Sequence, residues 1–373
     1  MATFTVSPSA STTRCPAVIA RTMMLWPAHG QQLMTSSPSN REIGDGMFDI
    51  DAVNSASNAG PPTGRSITIP GAASAAPTLA IKGRDLVVSG TLIMGIVNAS
   101  PESFSDAATH QSPEQRMVLC TDLVAAGADI IDVGGQSART DQPEISSAEE
   151  IDRIVPIIES LHAEHPDVVI SVDTYKPPVA QAALSAGASV LNDVSGSASA
   201  EIVDLCARTA SALVIMHTRS RPKVRRQEPN LYNDVTSDVV SFLASKIEAA
   251  VECGLPRESI IVDPGLDFAK TPYQTMAVLR RIDEVRALCR PTLLALSRKD
   301  FLGAILEKPP RGRDVGTLAA VAHLSATPGN IVRVHDVAAA RDVLATIDVL
   351  TGRSELDPNY LLPDTLRYEP SRR

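Results

Sequence analysis

Asp263 ends the apolar run Ile260, Ile261 and Val262 and is followed at once by Pro264 and Gly265, so a carboxylate stands where a buried segment stops and the chain turns. A short apolar run without polar alternation suits a parallel strand covered on both faces, and the turn puts the carboxylate at the strand's C-terminal mouth. Alone, Asp263 would serve equally well as a helix cap. The pattern recurs, however. Asn98, the stretch from Asp132 to Arg139, Asp173, Asn192 with Asp193, His217, the stretch from Ser297 to Lys299, and Arg333 with His335 all follow or lie within apolar runs. Loops are polar in general, but a polar group inside an apolar run has no structural use there.

Two sets of chemistry can be read from this ring. Asp173, Asn192, Asp263 and Lys299 offer two acceptor carboxylates, an amide that both donates and accepts, and an ammonium. A flat heterocycle with an amino-pyrimidinone edge would satisfy them. Arg333, His335, Arg139, Ser137 and Asn98 form a donor-rich group suited to phosphate oxygens.

The elements that must position these residues alternate. Apolar runs at 92–97, 130–133, 168–172, 189–191, 213–216, 260–262, 292–296 and 331–334 read as strands. Helical periodicity occupies 115–126, 148–163, 178–186, 235–253, 274–288, 317–326 and 338–350. Gly127, Gly187 and Gly254 stand where helices need a left-handed residue before the next strand. Eight such units predict an α/β fold, a single (β/α)8 TIM barrel, for which about 250 residues suffice. A doubly wound open sheet would also alternate, but no GxGxxG follows the first strand. In a barrel the strand ends converge on one mouth, with phosphate commonly held after the last two strands, where Arg333 and His335 lie.

Composition agrees. Hydrophobic residues make up 44% of the 373 residues and aromatics 3%, so aliphatic side chains must fill the core. A net charge of -9 argues against general nucleic-acid binding while allowing a small anion held locally. Five scattered cysteines without metal-ligand spacing read as reduced thiols in a cytoplasmic protein, with no zinc site. No run of about 18 apolar residues would span a membrane. Residues 1–85 lack periodicity and are rich in Ser, Thr, Ala, Pro and Gly, which predicts a long disordered N-terminal extension. With Arg14 and Arg21 and no acidic residue up to Asn40, it is an ordinary tail, a weak match to a transit peptide, or sequence ahead of a later start at Met34 or Met47. The barrel domain is expected at 86–354, and a polar tail at 355–373.

The motifs together resemble the dihydropteroate synthases of the pterin-binding barrel family, over residues 92–352. They are IMGIVNASPESFSD (93–106), GADIIDVGGQSAR (127–139), SVDTYKPPVAQAALSAGASVLNDVSG (171–196), IMHTRSRP (215–222), DPGLDFAKT (263–271), LSRKDFLG (296–303), and GTLAAVA through IVRVHDV (316–337). The resemblance implies a transferase of folate biosynthesis that condenses dihydropterin pyrophosphate with p-aminobenzoate. Asp173, Asn192, Met216, Asp263 and Lys299 would bind the pterin. Asn98, Ser137, Arg139, Arg333 and His335 would bind pyrophosphate, with Asn98 also holding Mg²⁺. Phe104, Phe268, Ser297 and Arg298 would receive p-aminobenzoate, whose carboxylate suits the helix starting near Arg298. Asp173, Lys299, Arg333 and His335 would carry the catalysis, and a homodimer is implied.

Three departures from the family pattern bear on the second substrate: Asp267 and Ala269 replace glycines that flank the Phe, the 136–141 loop loses a Thr and a Pro at Ala138 and Thr140, and Thr218 replaces a Met. A divergent paralogue that binds pterin or pyrophosphate without making dihydropteroate therefore stays open as an alternative. A corrinoid-dependent methyltransferase barrel has less support, since LSRKDFLG and RVHDV follow the synthase pattern and no cobalamin-binding module follows the barrel.

Overall fold

The protein is described by a computed structural model that covers residues 76–100, 112–137 and 140–368. The described chain opens with an antiparallel hairpin, β1 (Thr78–Ile81) and β2 (Arg84–Val87). Its two-residue turn, Lys82 and Gly83, takes φ of 43° and 75°, the left-handed pair that matches strand twist. These residues precede position 86, where the sequence reading begins the barrel domain.

Eight parallel strands then close on themselves. They are β3 (Thr91–Asn98), β4 (Ile130–Gly134), β5 (Val169–Asp173), β6 (Val190–Asp193), β7 (Ala212–Met216), β8 (Ile260–Asp263), β9 (Thr292–Ala295) and β10 (Asn330–Val334), with β10 pairing back onto β3. β4, β6, β7 and β8 are buried along their whole length, as strands covered on both faces must be. The fold is thus the (β/α)8 barrel expected from the eight apolar runs.

The helices are α1 (Pro113–Ala125), α2 (Ser147–Glu164), α3 (Pro177–Ala186), α4 (Ala200–Thr209), α5 (Val235–Glu252), α6 (Pro272–Arg280), α7 (Ile282–Arg286), α8 (Asp300–Leu306), α9 (Asp314–Leu324) and α10 (Val337–Leu350). Their starts are encoded locally. Ser112 and Thr271 form capping boxes with Gln115 and Gln274, and Ser146, Ser199, Asp234 and Asp336 each accept a first-turn N–H. Gly127, Gly187 and Gly254 take φ of 92°, 129° and 93°, fulfilling the predicted turns. Helix α4 is absent from the sequence reading, because its buried Ile202, Val203, Leu205 and Cys206 are two close pairs after a Gly/Ser run. The single helix expected at 274–288 divides at Arg281, whose φ of -117° interrupts it.

Two apolar layers result. One lies between strands and helices. The other fills the barrel's N-terminal end, where Leu79, Ile81 and Val88 of the hairpin region pack with Met94, Ile130, Val190, Val214, Ile261 and Ile331. The hairpin is fastened there by Lys82 N–H to Ala210 O at 2.7 Å and Arg290 Nη2 to Thr78 O at 2.8 Å. One end of the barrel is therefore plugged, and the chemistry is left to the other. No helix among the described residues is long and apolar enough to cross a membrane.

Candidate active site at the barrel mouth

Strand register places the first polar layer. Asn98 of β3 pairs with Gly134 of β4, Gly134 with Asp173 of β5, and Asp173 with Asn192 of β6, so the three polar residues point to the same side of the sheet near the strands' C-terminal ends. Met216 and Asp263 are register partners on β7 and β8. Arg333, on β10, donates from Nε to Asp132 Oδ2 at 2.7 Å and from Nη2 to Asp173 Oδ2 at 3.2 Å, spanning the mouth.

Asp132 is the hub of this arrangement and is fully buried. Besides Arg333 it accepts Ser171 Oγ at 2.6 Å and Asn192 Nδ2 at 3.2 Å. A carboxylate only accepts, so it fixes the Asn192 amide with its nitrogen inward. Asn192 Oδ1 is buried and finds no donor among the described residues. Burial raises Asp173 above the usual carboxylate range; Arg333 pulls it back and Asp132 pushes it up again. Asp263, held at Oδ1 by the Gly265 N–H at 2.6 Å, is also raised by burial.

A cleft of about 560 Å³ opens beside this layer, and Ser137, Asp173, Phe268, Ser297, Arg298 and Lys299 are among its lining residues. Lys299 donates to Leu266 O at 3.0 Å and lies 4.6 Å from the centre of the Phe268 ring. Burial lowers its pKa, and Asp267 and Asp263 oppose that. Ser297 Oγ and His335 Nδ1 are 2.8 Å apart, and burial with Arg298 and Arg333 nearby pushes His335 down to about 3, so the imidazole is neutral at physiological pH. Arg298 is committed to Asp314 at 2.7 Å. The helix expected near Arg298 begins at Asp300, and the Asp300 N–H is already donated to Asp267 Oδ2 at 2.5 Å. Phe104 and Arg139 lie outside the described residues.

Three further features border the site; the sequence reading placed Asp132 and His217 in the polar ring but assigned no role to them, to Lys270 or to Lys176. Asp132 carries the one available signal, an acidic residue inside an apolar strand. Lys270 is wholly buried beneath the Phe268 turn, donating to Gly265 O at 2.9 Å and Phe268 O at 3.1 Å and lying 2.8 Å from His217 Nδ1; His217 Nε2 in turn meets Asp238 at 2.9 Å. Lys176 ties Gln136 to the start of α2: its Nζ reaches Gln136 Oε1 at 3.0 Å, Ile145 O at 2.6 Å and Glu150 Oε2 at 2.9 Å.

Comparison with known proteins matches this geometry to a family. The profile of the pterin binding enzymes covers residues 94–335. A dihydropteroate synthase of Streptococcus pyogenes is 38% identical over 271 residues, 72% of this chain and 98% of the relative. The Xanthomonas albilineans dihydropteroate synthase with 4-aminobenzoic acid superposes with a TM-score of 0.67 at 34% identity, over 74% of this chain and 98% of that one. The same enzyme in complex with 7,8-dihydropteroate gives a TM-score of 0.64 at 32% identity, with the same two coverages.

Proposed function

The chain belongs to the pterin-binding enzymes, and from that premise we propose that it is a transferase of the dihydropteroate synthase type, joining dihydropterin pyrophosphate to p-aminobenzoate to give 7,8-dihydropteroate and pyrophosphate in folate biosynthesis. The observation that carries the reading is Asn192 Oδ1, a buried acceptor without a donor among the described residues, set beside its register partner Asp173. Leaving such an atom unpaired is costly, and the amino-pyrimidinone edge of a pterin supplies the missing N–H.

In this reading Asp173, Asn192, Asp263 and Lys299 hold the pterin edge, and Met216 packs against the ring. Asn98, Ser137, Arg139, Arg333 and His335 receive the pyrophosphate. Phe104, Phe268, Ser297 and Arg298 form the p-aminobenzoate end. The methylene C–O bond to pyrophosphate breaks with charge developing on the leaving oxygens, which Arg333 and the neutral His335 are suited to stabilise by donation. Asp173, once ionised, stabilises positive charge on the pterin. The aryl amine attacks the methylene carbon and loses a proton as the C–N bond forms; being a competent neutral nucleophile, it needs no strong base. Positioning and exclusion of water supply most of the acceleration.

The donors present fit Mg²⁺. Among the described residues no cluster of three His, Cys, Asp or Glu could hold a metal alone, and a half-buried Asn98 at the end of β3 suits an ion that keeps its waters and binds chiefly to substrate phosphates. When bound, Mg²⁺ would neutralise charge on the pyrophosphate. The same reading takes the chain as a cytoplasmic homodimer whose catalytic domain is the expected 86–354 together with the hairpin from Thr78 that packs on it, with an extension before and a tail at 355–373.

The test is pyrophosphate release from dihydropterin pyrophosphate and Mg²⁺, with and without p-aminobenzoate, beside an Asp173→Asn control. Release that requires p-aminobenzoate and disappears in the control is the expected result. Pterin binding without release would overturn the synthase reading.

A further inference from the structure

Phe268 belongs to the 265–269 turn that follows β8, and Gly265, Asp267 and Ala269 of that turn are left-handed, with φ of 64°, 64° and 49°. Asp267 and Ala269 take this conformation against a penalty, so their surroundings must over-determine it. They do so carbonyl by carbonyl. Lys270 Nζ donates to Gly265 O at 2.9 Å and to Phe268 O at 3.1 Å, Lys299 Nζ to Leu266 O at 3.0 Å, and Tyr232 Oη to Ala269 O at 2.9 Å.

Lys270 contributes most to this arrangement. As an ammonium it has three N–H donors, and three acceptors lie within 3.1 Å: the two carbonyls and His217 Nδ1 at 2.8 Å. His217 Nε2 stands 2.9 Å from Asp238 Oδ1, and a carboxylate only accepts, so the imidazole proton sits on Nε2 and Nδ1 accepts from Lys270. Asp267, Phe268 and Ala269 line the cleft, while the wholly buried Lys270 and Tyr232 stand behind them. The lysine therefore acts on the cleft wall only through the turn.

We propose that Lys270, with Tyr232 as its partner, is a positioning residue for the second substrate: together they hold the 265–269 turn, and with it the Phe268 ring, in the conformation that receives the aryl amine. This rests on the reading that the aryl amine lies against Phe268. The pterin side of the turn is held separately, because Leu266 O is bound by Lys299, whose Nζ also lies 4.6 Å from the centre of the Phe268 ring. Removing the Lys270 ammonium takes a donor from two carbonyls and one imidazole nitrogen, and the left-handed residues then relax. The result is a poorer p-aminobenzoate site beside an unaltered pterin site.

The experiment follows pyrophosphate release by the full chain with Mg²⁺, varying p-aminobenzoate and dihydropterin pyrophosphate in turn. Lys270→Met should raise the KM for p-aminobenzoate about tenfold and leave kcat and the KM for dihydropterin pyrophosphate within about twofold. Tyr232→Phe, which removes one hydroxyl and keeps the lysine, should raise the same KM about threefold with the same split, and it decides the matter if Lys270→Met does not fold. An unchanged KM for p-aminobenzoate in the folded variants, a loss confined to kcat, or two KM values that rise together overturns the proposal. If p-aminobenzoate supports no release from the wild-type protein, the synthase reading fails. The proposal is then judged by calorimetric titration of p-aminobenzoate into the complex with dihydropterin pyrophosphate, where equal Kd values for wild type and variants, or no binding to the wild type, overturn it as well.

Discussion

Asp132 and Lys270 are two buried charges on opposite sides of the site, and each makes a different demand on the fold. Asp132 gathers Arg333, Asn192 and Ser171. Replacing it with Ala would leave Arg333 with Asp173 alone and release the Asn192 amide. Breaking a buried pair by removing one partner costs about 3 kcal/mol, so Asp132→Ala should lower the urea-unfolding free energy by roughly that amount and weaken pterin binding, read by calorimetry. Lys270 behaves differently. Burial pushes its pKa from 10.5 down to about 7, against the pull of Asp263 and Asp238. Between those values the unfolded chain binds more protons at this site than the folded one. Its contribution to stability therefore grows as pH rises from about 7 to about 10.5 and is lost as pH falls back through 7. Urea midpoints of the wild type should carry that upward slope, and Lys270→Met should flatten it. Parallel pH profiles for the two proteins would rule the linkage out.

The elements divide the barrel into a structural end and a chemical end. At the structural end the hairpin contributes Leu79, which is 0% exposed and packs into the layer that fills the barrel. Leu79→Ala should cost about 3 kcal/mol of stability, as buried Leu truncations do, while leaving both substrates' KM values unchanged in the pyrophosphate assay. A shift in KM would mean that the plug communicates with the mouth. Most elements were legible because their signals are local: apolar runs of strand length, helical periodicity between them, and glycines at the helix ends. The hairpin was not, because four-residue strands ahead of the barrel carry too few alternating positions to stand out from the Ser- and Gly-rich stretch before them. Helix α8 was expected only through the family resemblance, because seven residues with Phe301 and Leu302 as buried contacts show too little periodicity to be read alone.

At the scale of the whole molecule, closure of the barrel turns sequence order into proximity, and this decides which site residues could be read. Asp173, Asn192, Asp263 and Arg333 were legible because each interrupts or ends an apolar run, and any parallel barrel brings such positions to one mouth. The contacts that tie the surrounding loops together were not. Lys270 meets His217 across 53 positions, and Asp267 meets Asp300 across 33, through loop geometry that no local pattern encodes. Closure is also uneven. β3 pairs with β10 and with β4 through five residue pairs each, whereas β8 and β9 share the single pair Val262 and Thr292. That thin seam separates the two walls of the cleft, with Asp263 and Phe268 on one side and Ser297 to Lys299 on the other. Local opening follows the segments with fewest cross-strand bonds, so the seam should open before the rest of the barrel. In hydrogen exchange the Val262 amide, which donates to Pro291 O at 2.9 Å, should exchange well before amides of β4 and β5. A ligand lying across both walls should slow it more than it slows any other strand. If Val262 is already as protected as Val133 and Val172 in the free protein, the two walls form one rigid surface, and substrate entry must depend on the loops alone.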